Sequence, residues 1–212
     1  MLRDAVAALR KGVKCDGLVV YASSVSPGRF AEERNVEIHV RSGKSDCPLM
    51  FAKVFYGRPP QYGPWVELFA INQILSLGRR KIGYFGSPVE AAVLSLLSRH
   101  MRRGQMFVEY NDDRVTKKQL QLSVPLAATR LGSILFGLGF CWFKDWYYPE
   151  GFMEGGMKLQ GEKCAGASER KRHVRETMEE LSRFLGGSSS GSPQVAAGRK
   201  TAASLMRSMS AK

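Results

Sequence analysis

Residues 80–110 read RKIGYFGSPVEAAVLSLLSRHMRRGQMFVEY, and the reading of this stretch decides the fold class. Lys81 to Phe85 is a short strand by pattern. Ser87, Pro88 and Glu90 mark a helix start: serine caps, proline suits the first turn, and glutamate follows the serine by three residues. Val93, Leu94, Leu96, Leu97 and Met101 recur at helical spacing, so the helix is expected to run to about Arg103 and to stop at Gly104. Gln105 to Tyr110 then reads as a strand, with Met106, Phe107 and Val108 in one apolar run. An unbroken run suits a strand covered on both faces, as in a parallel sheet.

Toward the amino terminus the apolar period falls to two. Leu18, Val20 and Ala22 form one alternating set, Val36, Ile38 and Val40 a second, and Met50, Ala52, Val54 and Tyr56 a third. Ser26-Pro27-Gly28 and Ser42-Gly43 supply turns between them, so residues 17–57 are expected to form an antiparallel meander. GRPPQYGP (57–64) breaks the pattern, and Trp65 to Leu77 reads as a helix ending at Gly78. The opening MLRDAVAALRKG reads as an amphipathic helix. Toward the carboxyl terminus, Val115 to Leu122 and Pro125 to Leu138 read as helices, Phe140 to Tyr148 as a strand, and Met157 to Lys163 as the return of a hairpin. The expected class is mixed α/β (α+β): an antiparallel meander joined to a Rossmann-like strand and helix half that ends in a β hairpin.

Composition shifts near Cys164. Residues 1–164 are expected to form one domain, followed by a helix over 165–186 that Ser168 caps and that carries Val174, Met178, Leu181 and Leu185. Residues 187–212, GSSSGSPQVAAGRKTAASLMRSMSAK, read as a flexible basic Ser/Gly/Ala tail. Hydrophobic residues make up 44% of the 212, enough for a sizeable core, and this excludes wholesale disorder. A net charge of +13 points toward polyanionic partners such as nucleic acid, phosphorylated ligands or acidic proteins. Cys15, Cys47, Cys141 and Cys164 are scattered and His39, His100 and His173 stand alone, so no metal site is expected. Free thiols suit a cytoplasmic location. The longest apolar stretch, Leu131 to Phe143, falls short of the about 20 residues that span a bilayer, so no membrane partner is expected.

The densest unusual segment is GFCWFKDWYYPEGFMEGGMKLQGEK, residues 139–163. Asp145, Glu150 and Glu154 lie close together among aromatics that can exclude water. Desolvation raises a carboxyl pKa and a nearby guanidinium lowers it, so one acid can serve as base while another stays ionised. Trp146 or Tyr147 would stack on a planar ligand, Lys144 would meet its negative charge, and Arg130 would be the basic partner. The plainer account is a hairpin whose aromatics pack on the 125–138 helix, with Arg130 solvated. Gly86 and Ser87, at the start of the helix after Phe85, could offer amides to a donor's phosphate, or could simply cap that helix. Glu109, with Asp112 and Asp113, could position a ligand or bind a metal, but an exposed acidic turn is the expected account. Arg79-Arg80-Lys81, Arg102-Arg103 and Lys117-Lys118 would fit phosphate contacts of a nucleic acid.

The run FVEYNDD (107–113), followed by PLAATRLGSILFGLGFCWFKDWYYPEGFMEGGMKLQGEK (125–163), resembles an uncharacterised, mainly archaeal family catalogued as a domain of unknown function. The resemblance covers roughly residues 17–164 and implies no established activity. In architecture the second half is similar to the later part of class I methyltransferases, which implies S-adenosylmethionine as donor. No GxGxG stands in residues 1–80. The chain is also similar to GCN5-like acyltransferases, which place a meander first and a helix ending in Gly-Phe before a last strand pair; this implies acetyl-CoA. A transferase-like reading, methyltransferase-like ahead of acyltransferase-like, therefore stands beside a non-catalytic nucleic-acid binder.

Overall fold

The computed structural model describes the backbone of residues 2–56, 65–70, 74–83, 88–101, 104–109, 113–147, 157–163, 166–187 and 191–210. The chain gathers into two compact units, Met1–Glu109 and Tyr110–Lys212. The fold is mixed α+β.

In the first unit, helix α1 (Leu2–Lys11) buries Leu2, Ala5, Val6 and Leu9, the i, i+3, i+4, i+7 stripe of an amphipathic helix. Strand β1 (Val13–Cys15) returns into β2 (Leu18–Pro27) through Asp16 and Gly17, both at positive φ. Asp-Gly is the dipeptide that a two-residue hairpin loop prefers, because its mirror-image turn matches the twist of the strands. Strands β3 (Glu33–Ser42) and β4 (Ser45–Phe55) complete the meander around Gly43, at φ 58°. Val20, Val36, Ile38, Val40, Met50, Ala52 and Val54 are all essentially inaccessible to solvent, so the three alternating sets face one core. Pro48 sits in β4 at a register shift opposite Ile38 and His39, where a missing amide is tolerated.

Strand β5 (Trp65–Ala70) pairs antiparallel with β4 and parallel with β8 (Gln105–Glu109). Between β5 and β8 the chain inserts a hairpin, β6 (Ile74–Leu77) and β7 (Arg80–Gly83), and then helix α2 (Pro88–Arg99). The sheet order in this unit is β1-β2-β3-β4-β5-β8, and β5–β8 is its one parallel pairing among the described residues. Met106 and Val108 are fully buried, as the apolar run of β8 requires.

Two expectations are corrected here. Trp65–Ala70 and Ile74–Leu77 form strands rather than parts of a helix. The segment WVELFAINQIL satisfies both apolar periods over so short a span, and its β-branched and aromatic residues pair well on a pleated surface. Its place between β4 and β8 settles the conflict. The strand expected over 81–85 is present as β7 over Arg80–Gly83, and among the described residues it pairs with β6 in a separate two-stranded sheet.

In the second unit, helix α3 (Arg114–Gln121), a 3₁₀ turn (Leu126–Ala128) and helix α4 (Arg130–Gly137) precede the hairpin of β9 (Phe140–Tyr147) and β10 (Met157–Lys163). A Cβ on Gly132 would lie 1.7 Å from the Leu126 carbonyl oxygen, so only glycine lets the 3₁₀ turn run into α4 at this angle. Helices α5 (Ala167–Gly186) and α6 (Pro193–Ser210) close the unit. Residues 187–212, expected as a flexible tail, thus carry an 18-residue helix. Its stripe is made of small residues, Val195, Gly198 and Ala202, which a hydropathy reading passes over. They pack with Val124, Ala128 and Leu181, and Leu205, Met206 and Met209 cover the rim of that cluster. No helix among the described residues is long and apolar enough to cross a membrane.

Candidate functional site

The second unit is organised around a buried polar hub. Asp113 precedes α3 and its Oδ1 accepts hydrogen bonds from the amides of Val115 (3.1 Å) and Thr116 (3.2 Å), the N-cap arrangement that satisfies free donors of a helix start. Its Oδ2 accepts from the Thr116 hydroxyl at 2.6 Å and from Arg130 Nε at 2.8 Å and Nη2 at 2.5 Å. Gln119 extends the hub: its Oε1 accepts from the Arg130 amide at 2.9 Å, and its Nε2 donates to the Gln194 carbonyl at 3.5 Å. Asp113, Thr116 and Gln119 are buried, and the Arg130 side chain is 17% exposed. One carboxylate therefore fixes α3, α4 and, through Gln119, α6. Asp113 was expected in an exposed acidic turn. Burial of an ionised carboxylate requires a fixed cation and several donors, and the hub supplies both.

Arg130 was expected as the basic partner of the 145–154 carboxylates, or else as a solvated residue. Its described ion pair is with Asp113, which holds the guanidinium in place at the start of α4. Lys144, Asp145, Trp146 and Tyr147 all lie on β9, where the register sets Lys144 across from Gln160 and Asp145 across from the fully buried Leu159. Glu109 ends β8. Glu150, Glu154, Gly86 and Ser87 lie outside the described residues. At the far end of β10, Lys163 Nζ lies 5.2 Å from the centre of the Phe140 ring. Burial first, and the charge of Arg170 second, hold its ammonium below the usual lysine range.

A second constellation went unread in the sequence because His39 stands alone there. On β3 its Nδ1 lies 3.0 Å from Asp46 Oδ1 and its Nε2 lies 3.0 Å from Glu37 Oε1. Tyr21 donates to the other oxygen of Asp46, and Ser24 donates to Glu37 Oε2 at 3.2 Å. An imidazole can donate from both nitrogens only when protonated. Burial pulls the His39 pKa down, but the hydrogen bonds and charges of Glu37 and Asp46 outweigh it, and the net shift is upward. The hydrogen bond from His39 holds Glu37 below its ordinary value. Period-two spacing in β3 puts positions 37 and 39 on one face, the signal that could have found half of this array.

The sign of the resulting pH dependence is fixed. A histidine whose folded-state pKa lies above its unfolded value of about 6.5 contributes stability that is complete below that pH and is lost as pH rises through the folded value. The array is partly solvated, so the contribution is under about 1 kcal/mol. Urea midpoints of wild type and His39→Gln should differ more at about pH 6 than at about pH 8. An equal difference at both values contradicts the double ion pair.

These features define a mixed α+β protein with an antiparallel sheet that turns parallel at β5. The chain matches the model of the family described as protein of unknown function (DUF1122) over residues 16–188, and it belongs to that family. It is similar to a crystal structure of a protein of unknown function from Aquifex aeolicus VF5, at 33% identity and a TM-score of 0.79, over 98% of each chain. No curated protein matches it.

Proposed function

We propose that the protein has a transferase-like architecture built for a nucleotide-containing donor, of the GCN5-like acyltransferase kind ahead of the methyltransferase kind. The order of the sheet in the first unit carries this reading. An antiparallel meander runs into a single parallel pair, β5 and β8, bridged by α2, and a helix and an antiparallel hairpin follow later in the chain. A donor-binding crevice is favoured beyond the carboxyl ends of parallel strands, at the point where the sheet changes direction. A methyltransferase-like sheet would call for more than one parallel pairing in this part of the chain.

In this reading Lys144, Trp146, Tyr147 and the Asp113-held Arg130 of the second unit would meet the acceptor, and Asp145, Glu150 and Glu154 would supply acid and base. The described start of α2 does not fit an acyl-CoA pyrophosphate. Pro88 has no amide proton to donate, and Glu90, in the first turn, is fully buried. A missing amide and a buried acid in the first turn leave the described residues there no open complement for a phosphate.

Thermal melting with acetyl-CoA, S-adenosylmethionine and ATP tests the reading. A ligand at about 100 times its Kd stabilises by about 2.7 kcal/mol, a shift of several degrees. Acetyl-CoA should shift the transition. A shift by S-adenosylmethionine alone moves the assignment to the methyltransferase kind, and no shift by any of the three removes the transferase reading.

A further inference from the structure

We propose that the rim of the first unit's sheet, where the β1–β2, β3–β4 and β6–β7 turns come together, binds the phosphate backbone of single-stranded nucleic acid. Three contacts assemble this rim. Arg80, on β7, donates to the Asp16 carbonyl at 3.0 Å and pairs with the Asp16 carboxylate, which joins the β6–β7 hairpin to the β1–β2 turn. Cys47, near the start of β4, donates to the Ser76 carbonyl on β6 at 3.3 Å. A Cβ on Gly78 would lie 3.9 Å from the Ser45 hydroxyl oxygen, so the hairpin tip sits against the β3–β4 turn.

The rim carries six exposed cations: Lys14, Arg41, Lys44, Arg79, Arg80 and Lys81. Lys14, Val19, Arg41 and Asp46 are successive Cα partners across β1 to β4, so Lys14 and Arg41 stand in one row two strands apart. Both acids of the rim are already engaged, Asp16 by Arg80 and Asp46 by His39 and Tyr21. The Arg41 guanidinium lies 4.8 Å from the centre of the Tyr21 ring, a position that keeps its charge at the surface. Crowding like charges on turns costs self-repulsion that a polyanion relieves by displacing counterions.

The hairpin is seated on the sheet through Ser76 and Asp16, so it is not a free ribbon able to enter a major groove. A single strand can instead bend over the rim. Contacts are to phosphate, so binding is expected to be indifferent to base and sugar.

Fluorescence anisotropy with labelled oligouridylate and oligothymidylate of about 12 nucleotides tests this on the full chain. Both should bind alike. Affinity should fall with salt from about 50 to about 200 mM, with a log–log slope of about −2 to −3 for three or four neutralised phosphates. The triple variant Lys44→Glu, Arg79→Glu, Lys81→Glu should lose at least about tenfold in affinity. Reversing three exposed cations of α5, Lys171, Arg175 and Arg183, makes the same change in net charge and should cost under about threefold. If the glutamate triple melts early, the glutamine triple at the same positions carries the comparison. The proposal is overturned if wild type binds neither oligonucleotide, or if the rim and α5 reversals weaken binding equally. It also fails if the rim cations are needed for phosphatidylserine vesicles and not for oligonucleotides. These outcomes are independent of which donor, if any, the melting experiment finds.

Discussion

Asp113→Ala should destabilise the protein by about 3–5 kcal/mol, the range for removing one partner of a buried ion pair. Two losses coincide in this variant. The Arg130 guanidinium keeps its burial but loses the carboxylate that accepts from its Nε and Nη2, and the start of α3 loses its cap. The cap alone is worth about 1 kcal/mol, so the larger share belongs to the lost ion pair. Asp113→Asn separates the two, because an amide oxygen can still accept from Val115 and Thr116 while the charge is gone. It should cost less than alanine and more than a lost cap. The double variant Asp113→Ala, Arg130→Ala should cost less than the sum of the singles, since each single already breaks the pair. Urea denaturation of the four proteins measures all of this. A loss below about 1 kcal/mol for Asp113→Ala would mean that the pair behaves as a solvated one.

A chain ending at Gly187 should lose at least about 3 kcal/mol, which lowers the melting temperature by about 6–12 °C. Removing α6 uncovers Val124, Ala128 and Leu181 and deletes Val195 and Ala202, which bury against them. Each aliphatic side chain returned to water costs about 1.5–3 kcal/mol, so even partial repacking leaves a deficit of that size. Gly198→Val probes the same contact without shortening the chain. Its Cβ would fall 2.7 Å from Val124 Cγ1, too close for both α6 and the α3–3₁₀ connection to keep their places. Differential scanning calorimetry of the truncated and substituted proteins gives the answer. Melting within about 2 °C of wild type in both would show that α6 adds nothing to the core.

The His39 array and the Asp113 hub show why the candidate sites were only partly legible. Tyr21, Glu37, His39 and Asp46 come from three strands, and nothing in the chain order marks them as neighbours. Asp113 looks like one more acid in YNDD until Arg130, seventeen positions on, is brought against it. A lone histidine and an acidic turn are the commonest surface features of any sequence, and pairing is what makes them otherwise.

The sequence by itself determined the elements whose apolar spacing admits one period. The meander strands β2 to β4, helix α1, the buried strand β8 and the closing hairpin stand where alternation, capping residues and glycines put them, and α2 starts as expected but ends at Arg99, short of Arg103. Local chemistry sufficed because burial of one face and the nearest turn both favour the same structure. Tertiary structure alone decided β5, β6 and α6. WVELFA (65–70) is apolar enough for either period, and becomes strand because β4 and β8 offer backbone partners on both sides of β5. Val195, Gly198 and Ala202 carry too little apolar area to hold a helix in water. They become a helix stripe only because Val124, Ala128 and Leu181 present a surface that small residues can approach closely.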